Sequence, residues 1–297
     1  RGAQDEEILP LRALAMAFQA YFMTWLGLAD QGYELAKESV EILQQQEHPE
    51  PLVFAYDSLL VNAYFLGRMD EEIEVANRMF EITTELEDKW LLAFTLFAVG
   101  MVALIEDDYT EAKRLAQLNL KLYEEVGDVS GSTMPLIILG HVALARNEYG
   151  EAKEYYLRCL ELSEKISFHY SIQTASKYLS KVAISLEKNE EAEIYLHQCL
   201  MLTKEIGFVR DVVNLMYEYA RLRVAQGNLT QAVELLSLVL QHPASHQTRW
   251  LEGRIRDSAE DLLSELEGEL PHEVYTAALE RGQETELEEV VTDLVGQ

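Results

Sequence analysis

The sequence predicts an all-α fold, a right-handed α-solenoid of about six helical hairpins with a C-terminal helical cap. Three observations carry that expectation. Ala112, Ala152, Ala192 and Ala232 stand 40 residues apart, and the residues 12 positions before them, Gly100, Gly140, Ser180 and Ala220, are all small. No segment alternates with the two-residue period of a strand over a useful length. Two small-residue columns in step at a fixed period mean one helical hairpin copied several times. A lone hairpin cannot bury its apolar face, so the copies stack into an extended body suited to binding.

Taken in order, residues 1–10 read as a linker or expression remnant. Residues 11–245 read as the repeat array, with hairpins near 11–47, 50–87, 89–127, 130–167, 170–207 and 210–242. Ala36 marks the first copy and Glu72 the second, a step of 36 in place of 40. In the third copy the first helix runs from Lys89 to Ile105, the turn is Glu106–Tyr109, and the second helix runs from Thr110 to about Val126. The next turns are Arg146–Tyr149, Glu187–Asn189 and Gln226–Leu229, where Gly227 alone supplies a turn glycine. Second helices end on Val126-Gly127, Ile166-Ser167 and Ile206-Gly207, and a glycine just past an apolar last turn is a common helix stop. Pro10, Pro49, Pro51, Pro135, Pro243 and Pro271 all fall at or near these boundaries, where proline is tolerated. Short side chains let the two helices of a hairpin cross closely. Larger apolar residues such as Leu115, Leu118 and Leu122 follow at helical spacing, with Glu and Lys between them. Residues 246–297 form the cap, with one helix from Trp250 through Leu266 and two shorter ones from Pro271 and Glu284.

Composition narrows the function. With 24 basic and 52 acidic residues the chain carries −28, which repels a phosphate backbone and argues against nucleic-acid binding. From Pro271 onward seven acids face only Arg281, a solubilising surface. No apolar run approaches the roughly 18 uncharged residues of a membrane span. The chain opens Arg1-Gly2-Ala3 without Met or a signal pattern, so it reads as a piece of a longer protein. Cys159 and Cys199 are themselves 40 apart and occupy one slot in neighbouring copies, which predicts small core residues in a reduced, cytoplasmic setting.

A small residue in the first helix, an aromatic near the turn and an alanine early in the second helix together resemble the tetratricopeptide repeat, over about residues 11–245. Each copy is longer than the usual roughly 34 residues, and the early Trp of that motif is absent. Repeats of this length ending in phrases such as Tyr123-Glu-Glu-Val-Gly127-Asp resemble the sensor arms of bacterial signal-transducing ATPases and transcription regulators. The ending from Leu262 through Leu270-Pro-His-Glu to Val291 is similar to the C-terminal segment of such chains. The resemblance implies a nucleotide-binding switch elsewhere in the parent protein and a sensor role for this part.

No catalytic constellation emerges. There is no Gly-rich loop ending in Gly-Lys-Ser/Thr, and the seven histidines form no zinc-like cluster, His242 and His246 being separated by Pro243. Neither a cofactor nor a metal is expected. The first helices of such hairpins line the concave groove. Counted back from the marker, the groove slots hold Tyr21, Trp25, Phe54, Asp57, Val61, Phe97, Met101, His141, Lys177, Lys181, Asn214, Tyr217 and Arg221, and Tyr64 joins them. The first four copies thus offer apolar groups, while Lys177, Lys181 and Arg221 converge on one wall. The expected partner is a protein or peptide with acidic groups, or a small anionic ligand, held by the basic half while the apolar half takes side chains. The apolar half also permits self-association. Two other readings stand beside that one. The lysines, four apart, pair only with nearby glutamates, and the aromatics are core. The alternative to a sensor arm is a free-standing adaptor for acidic peptides or a protein partner.

Overall fold

The computed structural model describes residues 2–46, 49–206, 209–246, 248–249 and 253–296. They divide into two compact units, Arg1–Ile138 and Leu139–Gln297. Unit 1 holds the hairpins α1 (Gly2–Trp25) with α2 (Ala29–Leu43), α3 (Glu50–Phe65) with α4 (Met69–Glu85), and α5 (Lys89–Ile105) with α6 (Tyr109–Val126). The division falls within α7 (Val129–Ala145). Unit 2 continues with α8 (Tyr149–Lys165), α9 (His169–Ser185) with α10 (Asn189–Ile206), and α11 (Val209–Ala225) with α12 (Leu229–Gln241). It ends in α13 (Ile255–Glu267), α14 (His272–Glu284) and α15 (Leu287–Gly296). The fold is all-α, as the period predicts. A two-residue antiparallel ribbon, Thr248–Arg249 against Gly253–Arg254, is the exception among the described residues.

The hairpin turn repeats at a strict 40 residues in all six copies. Gly27, Gly67, Asp107, Asn147, Glu187 and Gly227 each carry a left-handed φ, between 57° and 79°. The next amide in each copy bonds the carbonyl five residues earlier, from Leu28 to Met23 through Asn228 to Arg223, at 2.8–2.9 Å. This backbone bond closes the helix end without help from a side chain. Two readings are corrected by it. Turn glycines occur at 27 and 67 as well as 227, and the first step is 40, so the marker of the first copy is Gly32. Ala36, one helical turn later on the same face, imitates it. The groove slot assigned to Trp25 accordingly belongs to Tyr21.

Helix starts follow local chemistry. Asp88 and Asp108 cap α5 and α6, accepting from the amides of Leu91 at 2.9 Å and Glu111 at 3.0 Å. Gly127, at φ 75°, stops α6. Ser167 adopts the same left-handed conformation after α8, at φ 54°, while Gly207 lies outside the described residues. The prolines split. Pro49 and Pro271 are N-caps, Pro51 sits in the first turn of α3, and Pro243 opens a 3-10 turn. Pro10 and Pro135 instead lie inside α1 and α7, each removing one bond from the helical ladder. Residues 2–10, read from sequence as a linker, belong to α1.

Within unit 1 the first helices α1 and α3 pack on each other and on α2 and α4. Ala13, Ala17 and Ala20 are fully buried, and so close an approach lets Ser39 and Ser58 donate to the carbonyls of Ala13 and Ala17 at 2.6 and 2.8 Å. Cys159 and Cys199 are buried in the core of unit 2 and not joined in a disulfide, and burial pushes the Cys159 thiol up to about 12.

The cap begins later than the sequence suggests. Its first helix starts at Ile255, with the ribbon before it and Trp250 outside the described residues, and its last starts at Leu287, where Glu284 was expected. The cap helix α14 lies against α12 at Gly282, where a side chain would press into the Glu234 carbonyl and approach Ser237 Cβ to 2.7 Å. Ser237 donates to the Leu279 carbonyl and Gln241 to the Gly282 carbonyl, both at 2.9 Å. The Gly282→Ala variant is expected to loosen the cap and cost about 2 kcal/mol. Hydrogen exchange of α14 and α15 checks this, since protection equal to wild type would contradict the close contact.

Candidate functional site

In unit 2 the helices α7, α9 and α11 stand in a single register. His141 and Tyr178, 37 residues apart, meet edge to face with ring centroids 4.2 Å apart. Lys181 and Glu218, also 37 apart, form an ion pair at 3.1 Å. The same step, one turn earlier, sets Lys177 level with Asn214.

The site is built around a buried aromatic floor. His141 Nδ1 shares a hydrogen with the Tyr156 hydroxyl at 2.6 Å, and the Tyr156 ring stacks on Tyr178 at 5.4 Å and 16°. Gly140 makes room for this arrangement, because a Cβ there would fall 2.6 Å from Tyr156 Cζ. The cations rest on the floor, with Lys177 Nζ 4.5 Å and Lys181 Nζ 5.1 Å from the centre of the Tyr178 ring. An ammonium over an aromatic face is stabilised by the ring quadrupole, more so when desolvated. Lys177 is only 6% exposed.

The wall also contains an anion that sequence reasoning missed. Glu218, with its side chain 3% exposed, bridges Lys181 at 3.1 Å and Arg221 at 2.9 Å. Three cations and one carboxylate leave the wall at a formal +2. Asn214 is 4% exposed, and its Nδ2 donor meets no hydrogen-bond partner among the described residues. A buried, unsatisfied donor costs free energy until an acceptor meets it. Tyr217 completes the row. Burial pushes its phenol up, with Arg221 and Lys181 opposing and Glu218 reinforcing the shift. Tyr217 and Arg221 also line a cleft of about 440 Å³ against Ser258, Asp261 and Glu265 of α13. The cap therefore brings acids to the end of a wall that the sequence presents as basic.

The other predicted groove residues lie in unit 1, where several of them pack against neighbouring aromatic rings. Trp25 meets Phe65 at 5.4 Å and Tyr21 at 6.1 Å, while Tyr64 meets Phe65 at 5.0 Å. Phe54 joins Phe18 at 6.0 Å and Phe94 at 5.6 Å. Phe97 is half-buried, and Met101, 3% exposed, is part of the core. Among the described residues no group of three or more His, Cys, Asp or Glu is arranged to hold a metal, and no helix is long and apolar enough to cross a membrane.

Known proteins place the scaffold. The sequence model described as Tetratricopeptide repeat matches residues 136–166, from α7 to the end of α8. The fold is that of tetratricopeptide-repeat solenoids. Among curated proteins none matches the sequence. Similar solved structures with TM-scores above one half are of low identity, so the likeness is one of fold. The apo form of RapI has a TM-score of 0.59 at 17% identity, covering 86% of this chain and 85% of that one. A signal-transduction ATPase with numerous domains and a tetratricopeptide-repeat sensor, from Pyrococcus horikoshii, scores 0.60 at 15% identity, over 95% of this chain and 43% of that chain. A Rap protein complexed with competence and sporulation factor scores 0.54 at 15% identity, over 96% and 99%. The tetratricopeptide-repeat match falls on the part of the chain that carries His141, Tyr156 and the left-handed turn at Asn147.

Proposed function

We propose that the chain is a non-catalytic tetratricopeptide-repeat scaffold that senses a protein, a peptide or a small ligand through an anionic group. One observation carries the reading. The buried Lys177 and the unsatisfied Asn214 amide stand in register on one wall, so a carboxylate there would gain a charge-assisted bond and satisfy an orphaned donor. The likeness to a tetratricopeptide-repeat sensor within a larger ATPase supports a role as the sensor arm of a cytoplasmic bacterial signal-transducing ATPase or transcription regulator. Binding would then bias the parent switch between its states. A second reading, a free-standing adaptor, is supported by the Rap structures, of which this chain spans 85% and 99%.

The test uses a panel of fluorescent Asp- and Glu-containing peptides, with free or amidated C-termini, titrated against the chain. Reversing Lys181 to Glu would set two carboxylates face to face at Glu218, so Lys177→Gln and Arg221→Gln are the better variants. A peptide that binds the wild type is expected to lose at least about tenfold on Lys177→Gln, one charge-assisted bond being worth about 1.5–3 kcal/mol. Unchanged affinity in both variants, with helical content intact, would remove this wall from the function.

A further inference from the structure

Unit 1 carries a carboxylate that the wall in unit 2 does not use. Asp57 lies on α3, half-buried, one turn beyond Phe54. Among the described residues it accepts no hydrogen bond and joins no ion pair. Desolvation alone pushes its carboxyl up to about 7, with no neighbouring cation to hold it down. Its charge is felt by the buried Tyr123 phenol, raised by burial, Asp128 and Asp57 in that order. An acid kept in such a place without a counter-ion destabilises the fold in its charged form.

The surroundings say what would relieve it. Phe18 meets Phe54 at 6.0 Å and Phe54 meets Phe94 at 5.6 Å, contacts that step 36 and 40 residues along the chain. The same steps bring Tyr21 and Phe97 level with Asp57. Trp90 stacks on Phe94 at 5.6 Å and 11°, and it stays 38% exposed while Phe18 stays 47% exposed. A row of partly exposed rings with Asp57 one turn from Phe54, and with Asp128 accepting from the Trp90 indole at 2.8 Å, matches a planar, weakly hydrated cation, which stacks on rings while its N–H fork meets the acid.

We propose that Asp57 and the aromatic row from Phe18 to Trp90 form a subsite for the guanidinium of an arginine side chain presented by a peptide or protein. The subsite stands in unit 1 alone and does not depend on the anion-recognising wall of unit 2. It gives the apolar half of the scaffold a charge preference opposite to that of the Lys177 wall. A partner that satisfies this subsite carries an arginine next to apolar residues.

The probe is N-acetyl-arginine amide, with the citrulline amide as its neutral isostere, titrated into the full chain labelled with carbonyl-¹³C aspartate. Arginine amide is expected to shift the Asp57 carboxyl resonance saturably and to lower its titration midpoint. Citrulline amide should bind at least about fivefold more weakly. Asp57→Asn, which keeps the shape and removes the charge, should abolish the difference between the two probes. Asp57→Glu should restore part of it. Equal response to arginine and citrulline would overturn the proposal, as would an arginine response that persists in Asp57→Asn or no response to either probe. A variant that lost its helical signal would be replaced by Phe54→Leu, in which arginine amide must bind more weakly if the aromatic row takes part.

Discussion

Replacing Glu218 by glutamine is expected to lower the stability of the chain by about 2–3 kcal/mol, a drop of roughly 3–5 °C in melting temperature. The glutamate is almost sealed, and it pairs with Lys181 and Arg221 at once. Glutamine keeps the volume and some hydrogen bonding but removes the carboxylate charge that both cations meet, beside a third cation at Lys177. Losing one partner of a fully buried pair costs about 3–5 kcal/mol. The smaller figure reflects the water that still reaches Arg221, whose side chain is 30% exposed. A double-mutant cycle with Lys181→Met separates the bridge from the general cost of the substitution. A coupling under about 0.5 kcal/mol would mean that the bridge contributes little and that Glu218 is retained for another reason. The same variant bears on recognition. With the internal carboxylate gone, an external one should bind the wall more tightly, so stability and anion affinity are expected to move in opposite directions.

Gly140→Ala should cost about 3 kcal/mol or more. The added methyl would press into the Tyr156 ring, which is fully buried and held by His141 below and Tyr178 alongside. Overpacking a close-packed core costs about 1–3 kcal/mol, and here the ring cannot turn aside without losing its bond to His141. Gly100→Ala is the internal comparison, since it occupies the same slot one repeat earlier. A methyl there meets the terminal Ile138 Cδ1 at 3.0 Å, which can yield, and touches Leu115 Cβ at an ordinary 3.9 Å. Denaturant unfolding of the two variants should therefore differ by about 2 kcal/mol. Tyr156→Leu should narrow the gap by making space for the methyl. Two variants of equal stability would show that the small-residue column is needed for helix approach in general and not for this ring.

Much of the scaffold is legible in four alanines. The third hairpin is read almost to the residue from its period and the Gly127 stop, and the Asp88 and Asp108 caps that the structure shows at its helix starts are local signals consistent with that reading. The first hairpin is misread because Ala36, one turn from Gly32, offers the same small size on the same face. Only the positive φ of Gly27 and Gly67 fixes the frame. Pro135 is misplaced for a different reason, since a helix packed by Leu136 and Ile138 tolerates a missing ladder bond that a solvated helix would not. At the site, the groove slots lead to His141, Lys177, Lys181, Asn214 and Arg221, all of which the structure sets along three adjacent helices. Glu218 is not legible. It is one of 52 acids, and nothing in its local sequence separates it from the others. What marks it is a lysine 37 residues earlier, a relation that appears only once the register of α9 and α11 is known.

The left-handed turn lends itself to editing by length. Its closing bond joins two backbone groups, and the position it strains is filled by glycine, aspartate, asparagine or glutamate without any change in the bond. A segment cut from one turn to the next therefore carries a complete, interchangeable joint at either end, whatever side chains it holds between them. Lineages that lengthen or shorten such a chain by whole segments need not reinvent the joint. They can vary the faces that meet a partner while the seams stay the same, so recognition can drift from copy to copy faster than architecture.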